Sequence, residues 1–198
     1  MDAFMASYLL LWAIVMVQGL VIVFLTRQLG AAILGTRDAI ERDGIPVGKS
    51  VPSIEGVGAE GRTVRPLRTG QWSVLIYAAP TCGICLDMLP TLDRLIGRLA
   101  GKVAFTVLLE APPEIRAEYA STTATRAEVI AIDRQTAKTM NVRVSPFVHV
   151  VDESGVVRAK GLVNEAAHVE HLLVMAGVTD SALPQHVEHR HEALGHAS

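Results

Sequence analysis

The sequence predicts an α/β domain with a mixed sheet flanked by helices, preceded by one N-terminal transmembrane helix. Residues 8–25 form an apolar run without a charged side chain. From about residue 54, apolar runs typical of buried strands alternate with stretches of helical periodicity. Cys82 and Cys85 are the only cysteines of the chain, and they directly follow one of the predicted strands.

Composition limits the classes of function. Hydrophobic residues make up 50% of the 198 residues, which is enough for a substantial core. The formal net charge is −2 and no basic stripe is present, so nucleic acid is not expected as a partner. Two cysteines cannot build the disulfide framework of a small secreted domain.

The apolar run 8–25 predicts an uncleaved membrane anchor that contacts the lipid bilayer. As a helix it would span roughly 27 Å, close to the thickness of a bilayer core. Tyr8 and Trp12 lie near one end, where aromatic side chains favour the membrane interface. A buried soluble helix normally keeps a polar face, and a cleaved signal peptide has a basic residue before a shorter apolar run.

Four parts are predicted along the chain. They are an anchor at 1–27, a juxtamembrane segment and linker at 28–53, an α/β domain at 54–178, and a flexible His-rich tail at 179–198. The linker prediction rests on residues 45–53, which contain two prolines and one glycine and show no helical period.

The elements of the domain follow from local patterns. The predicted strands are 61–67, 72–79, 103–109, 128–132, 146–152 and 156–163, the last two forming a hairpin. Between and after them, helices are predicted from Cys85 to near Gly101, at 112–122, at 133–141 and at 164–177. Apolar residues recur at helical spacing after Cys85, prolines suit the first turn at 112, and Asp133 is a predicted N-cap.

The cysteine pair has three interpretations: a redox pair, half of a metal site, or two packed thiols. A strand–CxxC–helix setting places Cys82 at a helix N-terminus, where the helix dipole favours a thiolate, and Cys85 one turn further on. A lone CxxC supplies only two of the four usual zinc ligands. The setting therefore favours a redox pair in which Cys82 attacks a client and Cys85 resolves the mixed disulfide. No cofactor or metal beyond this disulfide is expected.

A further signal is Pro146, which stands directly before a predicted strand. A cis proline there would hold a backbone edge beside the cysteines, and an ordinary trans proline at a strand start is the alternative. Together with "YAAPTCGIC", Pro90 five residues after Cys85, and "VSPFVHV", these residues resemble a thioredoxin fold over roughly 50–177.

With the anchor, the following "RQLG" and the "GIPVGKSVPSIEG" segment, the chain resembles the membrane-anchored thioredoxin-like proteins of the TlpA/MauD type, especially MauD, the methylamine dehydrogenase accessory protein. The resemblance implies Cys82 as attacking thiol, Cys85 as resolving thiol and Pro146 as cis proline. It also implies a domain in the periplasm, a membrane electron-transfer partner, and a role in disulfide formation of an exported enzyme such as methylamine dehydrogenase.

Two observations oppose parts of this expectation. Arg27, Arg37 and Arg42 follow the anchor, so the positive-inside rule by itself places the domain in the cytoplasm; we give the resemblance precedence. Ile76 also stands where thioredoxin has a buried acid, six residues before Cys82, so the direction of exchange is left open.

The rival prediction is a metallochaperone of the Sco copper-delivery type, or a structural assembly subunit with a thioredoxin fold. Sco-type cysteines are normally one residue further apart than Cys82 and Cys85. All histidines lie in the last fifty residues; His168 and His171 are expected on a solvated helix face, and His149 on either face of its strand. The tail histidines are interpreted as incidental rather than metal-binding; they are His186, His189, His191 and His196.

Overall fold

The computed structural model describes residues 5, 7–24 and 42–178. It divides into two units, Met1–Arg42 and Asp43–Ser198. In the first unit, α1 (Ser7–Phe24) is an apolar helix with no part of it buried in protein, and it is the one helix of the described residues long and apolar enough to cross a membrane. This helix fits the predicted single-pass anchor.

The described residues of the second unit form an α/β domain. Its strands are β1 (Gly56–Val57), β2 (Thr63–Val64), β3 (Trp72–Ala78), β4 (Val103–Glu110), β5 (Glu128–Ile132), β6 (Phe147–Val151) and β7 (Val157–Leu162). Its helices are α2 (Gly83–Arg98), α3 (Pro113–Thr123), α4 (Arg134–Thr139) and α5 (Ala166–Met175). Asp133 caps α4 by accepting a hydrogen bond from the Thr136 N–H, as predicted.

The strands form a mixed sheet in the order β2-β1-β5-β4-β3-β6-β7. Strands β3, β4 and β5 run parallel, and the hairpin of β6 and β7 lies antiparallel beside β3. The carboxyl ends of three parallel strands therefore meet at one edge of the sheet, which is where sites gather in such folds. The predicted mixed sheet is confirmed.

Alternation along the strands divides the core into two layers. On one face, Ile76 and Val107 pack with the apolar sides of α2 and α5. On the other face, Leu75 and Phe147 pack with α4 and with the segment that precedes β1. Because β3 is covered on both faces, its residues from Ser73 to Ala78 are buried, which explains its continuous apolar sequence.

The prediction that 45–53 is a linker outside the domain is wrong. Ile45 and Val51 are buried in the second core layer, and the Val51 N–H donates to the Gly155 carbonyl at 2.9 Å. Prolines prevent regular structure here but do not prevent packing of the apolar side chains between them. The domain therefore begins at Asp43 rather than at residue 54, whereas 28–41 and 179–198 lie outside the described residues.

Strand β1 was not predicted, because two residues carry no readable pattern. Gly56 lies against β5 so closely that a Cβ atom there would stand 2.7 Å from the Ala131 carbonyl oxygen. The backbone of β1 can approach β5 only because this residue has no side chain.

Candidate active site

Cys82 and Cys85 lie where β3 passes into α2, and they form a disulfide with their Cα atoms 5.3 Å apart. Cys82 is the N-cap of α2, and its Sγ accepts a hydrogen bond from the Cys85 N–H at 3.2 Å. The first N–H groups of a helix have no intrahelical partners, so they stabilise negative charge on a sulfur at this position.

The two sulfurs differ in access. Cys82 is partly exposed, whereas Cys85 is 0% exposed and lies in the first core layer with Ile76 and Met88. A thiolate from another protein can therefore reach Cys82 but not Cys85. This asymmetry is what attack by one cysteine and resolution by the other require.

Pro146 lies at the same edge of the sheet as the cysteine pair. The Ser145–Pro146 peptide bond is cis, as the resemblance to thioredoxins implies. Tyr77 of β3 pairs with Phe147 of β6, so Pro146 stands one position beyond the last pair, where β3 ends and the turn to Cys82 begins.

The backbone before Pro146 is unpaired. Among the described residues, the N–H and C=O groups of Val144 and Ser145 make no hydrogen bond, while the Pro146 carbonyl accepts one from the Val163 N–H at 3.3 Å. The side chains of Val144 and Ile84 are 38% and 48% exposed. The edge of the sheet that carries the disulfide thus also carries free backbone groups and exposed apolar surface.

Cys85 has an apolar environment on the side that faces β3, because Ile76 stands where thioredoxins have a buried acid. The Tyr119 hydroxyl is buried in the same core layer without a hydrogen-bond partner among the described residues, and burial raises the pKa of Tyr119 to about 12. This hydroxyl stays protonated at neutral pH, so it does not replace the missing acid as a proton acceptor.

A charged cluster lies at the ends of β3 and β4 and was not predicted. The Tyr77 hydroxyl donates to Glu110, whose carboxylate also pairs with Arg134 at 3.3 Å. Burial and the bond to Glu110 raise the pKa of Tyr77 well above its ordinary value. Tyr77 belongs to the core layer on the opposite face of the sheet from Cys85. The cluster is therefore not part of the environment of the cysteine pair. The sequence feature that could have indicated this cluster is the position of Glu110 at the end of a parallel strand.

His149 does not approach the cysteine pair. Strand β6 directs it away from the α2 face, and its Nε2 accepts a hydrogen bond from the Ile45 N–H at 3.0 Å. Burial, and secondarily the charge of Lys160, lower the pKa of His149 to about 3, so the ring is neutral at physiological pH.

The other histidines give no alternative site in the described part of the chain. His168 and His171 are exposed on α5, where the Nδ1 of His168 accepts from the Asn164 N–H. No group of three or more His, Cys, Asp or Glu residues within 7–24 and 42–178 could hold a metal ion. The predicted tail histidines lie outside the described residues.

Comparisons with known proteins relate nearly the whole chain to curated relatives. No family model matches the chain. The methylamine utilization protein MauD of Paracoccus denitrificans is 27% identical over 193 residues, covering 93% of this chain and 94% of the relative. MauD of Methylobacillus flagellatus is 28% identical over 195 residues, covering 93% and 92%. The chain thus resembles MauD along nearly its whole length, including the segment before the domain.

Solved structures share the fold of the domain. A thiol:disulfide interchange protein DsbE from Chlorobium tepidum, described as putative, superimposes with a TM-score of 0.60 at 18% identity, covering 67% of this chain and 98% of that one. A thio-disulfide isomerase from Thermus thermophilus gives 0.55 at 25% identity, covering 69% and 100%. The chain has a thioredoxin-like fold, and its disulfide lies at the start of the helix that follows a central strand.

Proposed function

We propose that this thioredoxin-like oxidoreductase, which resembles the membrane-anchored proteins of the TlpA/MauD type, exchanges thiols and disulfides with an exported protein client. The observation that carries the proposal is the disulfide at the N-terminus of α2, with Cys82 accessible and Cys85 buried. The position of Pro146 and of unpaired backbone at the same edge supports it.

In the oxidising direction, a client thiolate attacks the Sγ of Cys82 and forms a mixed disulfide. The Cys82–Cys85 bond breaks, and its electron pair leaves on Cys85, which takes up a proton. A second client thiolate then attacks the client sulfur of the mixed disulfide and releases Cys82 as a thiolate. The client loses two electrons and the cysteine pair gains them. A disulfide-bearing membrane partner would accept these two electrons and return the pair to its disulfide form; in the reducing direction, a dithiol-bearing partner would instead supply two electrons to the pair.

The reverse direction uses the same groups. The Cys82 thiolate, stabilised by the N-terminus of α2, attacks a client disulfide, and Cys85 resolves the adduct. The helix N-terminus stabilises the Cys82 thiolate in both directions. This thiolate is the leaving group when the client is oxidised and the attacking group when the client is reduced.

A client segment would bind beside the disulfide in extended form. The free N–H and C=O groups of Ser145 and Val144 can pair with the client backbone, as an added strand does at a sheet edge. Exposed apolar surface at Ile84 and Val144 suits apolar residues next to the client cysteine. Pro146 would then be a catalytic residue through its contact with the bound client, beside Cys82 and Cys85.

The likeness to MauD proteins extends the proposal to client and compartment. Their name places them in methylamine utilization, so we propose an enzyme of that process, such as methylamine dehydrogenase, as the client. An exported client would meet the cysteine pair outside the cytoplasm, where disulfides persist, so we also propose a periplasmic domain held to the membrane by α1.

A trapping experiment tests the proposal. The Cys85→Ser chain can attack through Cys82 but cannot resolve the product, so acid-quenched cells should contain an adduct that dithiothreitol releases. Its partner, identified by mass spectrometry, should be an exported protein with cysteines. The chain with both Cys82→Ser and Cys85→Ser is the matched control and should give no adduct.

The alternatives predict other outcomes of the same experiment. A folded, well-expressed Cys85→Ser chain without any adduct would contradict the exchange activity. Stoichiometric copper bound by both cysteines would then favour the metallochaperone, although His149 lies on the opposite face of the sheet from Cys85.

A further inference from the structure

We infer that residues 43–45, here called the entry strap, position the backbone stretch 141–146 for client binding, with Asp43 and Arg143 as positioning residues. The inference rests on the proposed function, because it concerns how the client meets the edge that carries Cys82. Asp43 and Arg143, which contact each other, are 100 positions apart in the chain.

The first contact is an ion pair with one buried partner. The Asp43 side chain is 3% exposed, and its Oδ1 accepts from Arg143 Nε at 2.7 Å and lies 2.6 Å from Nη2. Both guanidinium nitrogens converge on this one carboxylate oxygen, so a charge-assisted contact ties the Arg143 side chain to the strap. A buried carboxylate is costly unless paired, so such a pair specifies a geometry more than it adds stability.

A backbone hydrogen bond accompanies this ion pair. The Gly44 N–H donates to the Asn141 carbonyl at 2.7 Å. Asn141 and Arg143 both lie on the stretch that leads to Pro146. The strap therefore holds this stretch at two points, just before the unpaired groups of Val144 and Ser145.

The strap itself is fixed against the hairpin of β6 and β7. Lys160 Nζ donates to the Asp43 carbonyl at 2.6 Å, and His149 Nε2 accepts from the Ile45 N–H. Gly44 has φ +71°, and a Cβ atom there would stand 2.5 Å from His149 Nε2. Only glycine permits this conformation and this approach, so the strap lies directly on the sheet.

These contacts explain how the stretch keeps its place without regular secondary structure. Downstream, it is held where Pro146 bonds to Val163 and β6 begins. Upstream, Asn141 and Arg143 bond to the strap, and the N–H groups of Asn141 and Val142 donate to carbonyl groups of α4. Loss of the ion pair should let Val144 and Ser145 shift relative to Cys82. A shift of about 1 Å at a reacting site can cost orders of magnitude in rate.

The test compares a docking-dependent reaction with one that needs no docking. The full-length oxidised chain in detergent is reacted with dithiothreitol and with an unstructured peptide that carries one cysteine between apolar residues. The variants are Arg143→Gln and Asp43→Asn, with Arg143→Lys as the conservative change. Arg158→Gln is the matched control, because Arg158 Nε pairs with Asp152 Oδ2 at 2.6 Å on the β6–β7 hairpin.

We expect Arg143→Gln and Asp43→Asn to slow the peptide reaction about tenfold and the dithiothreitol reaction less than about twofold. Arg143→Lys should retain most of the peptide rate, and Arg158→Gln should leave both rates unchanged. Equal effects on both reagents, or none on the peptide, would overturn the inference.

Two further outcomes separate the inference from its premise. A loss of both reactions together with the near-ultraviolet circular dichroism would show that the ion pair holds the fold rather than the docking stretch, and this also overturns the inference. If the unsubstituted chain reacts with neither reagent, the proposed exchange activity itself is wrong, and the inference falls with it.

Discussion

At the scale of single residues, His149 is a buried neutral acceptor whose protonation opposes folding. Its pKa is lowered to about 3 in the folded chain, against 6.5 for an ordinary histidine. Between these pH values the unfolded chain binds more protons, so the free energy of unfolding decreases as pH falls from about 6.5 toward 3. Above pH 6.5 the ring is neutral in both states and contributes no pH dependence.

We therefore expect the chain to lose about 3 kcal/mol of unfolding free energy through His149 between pH 7 and pH 4. Urea unfolding at a series of pH values measures this loss. His149→Gln keeps an acceptor for the Ile45 N–H but cannot be protonated, so its curve should be flatter in this range. The control is His168→Gln on the exposed face of α5, which should retain the slope; identical slopes for all three chains would contradict the prediction.

At the scale of elements, α2 joins the chemistry of the pair to the core. Its N-terminus carries Cys82, while its buried side packs Cys85, Met88, Leu89, Leu92 and Leu95 against the sheet. Pro90 lies inside this helix. The packing of α2 holds the helix start in place at the end of β3, and the reactive cysteines depend on that placement.

Leu92→Ala should lower the free energy of unfolding by about 3 kcal/mol, because Leu92 is 0% exposed and its loss leaves a cavity. Urea unfolding measures the loss. Arg94→Ala, an exposed position of the same helix, should change the free energy by less than about 0.5 kcal/mol. Equal effects at both positions would show that α2 does not carry the core packing described here.

At the scale of the whole molecule, the compartment of the domain is open to a direct measurement. Ser53 is exposed, so Ser53→Cys in a chain with Cys82→Ser and Cys85→Ser offers one accessible thiol. We expect a membrane-impermeant maleimide to label it in intact cells, because the domain is proposed to be periplasmic. A cytoplasmic protein with an exposed cysteine is the control. Labelling only after cell lysis would place the domain inside, as the arginines after the anchor predict.

Much of the fold could be predicted, because the spacing of apolar residues along the sequence indicates which side of a strand or helix is buried. The run 72–79 corresponds to β3, which is buried on both faces, and the helical spacing after Cys85 corresponds to the buried side of α2. Asp133 could be identified as a cap from its type and position. The cysteine pair and Pro146 were recognisable because each stands at the end or start of a predicted strand.

Other features depend on partners distant in the chain. Alternation allowed His149 to lie on either face, and only the pairing of Leu75 with His149 in the sheet decided it. Prolines at 46 and 52 suggested a linker, although Ile45 and Val51 belong to a core layer whose other members extend from Ile54 to Val157 in β7.

The sequence by itself determined the order of the elements other than β1, the apolar N-terminal helix and a cysteine pair at the start of a helix, since each depends on neighbouring residues. Only the tertiary structure decided that the domain begins at Asp43, that His149 faces away from Cys85, and that Asp43 pairs with Arg143. Such contacts follow from the register of the whole sheet, and no local pattern near either residue encodes them.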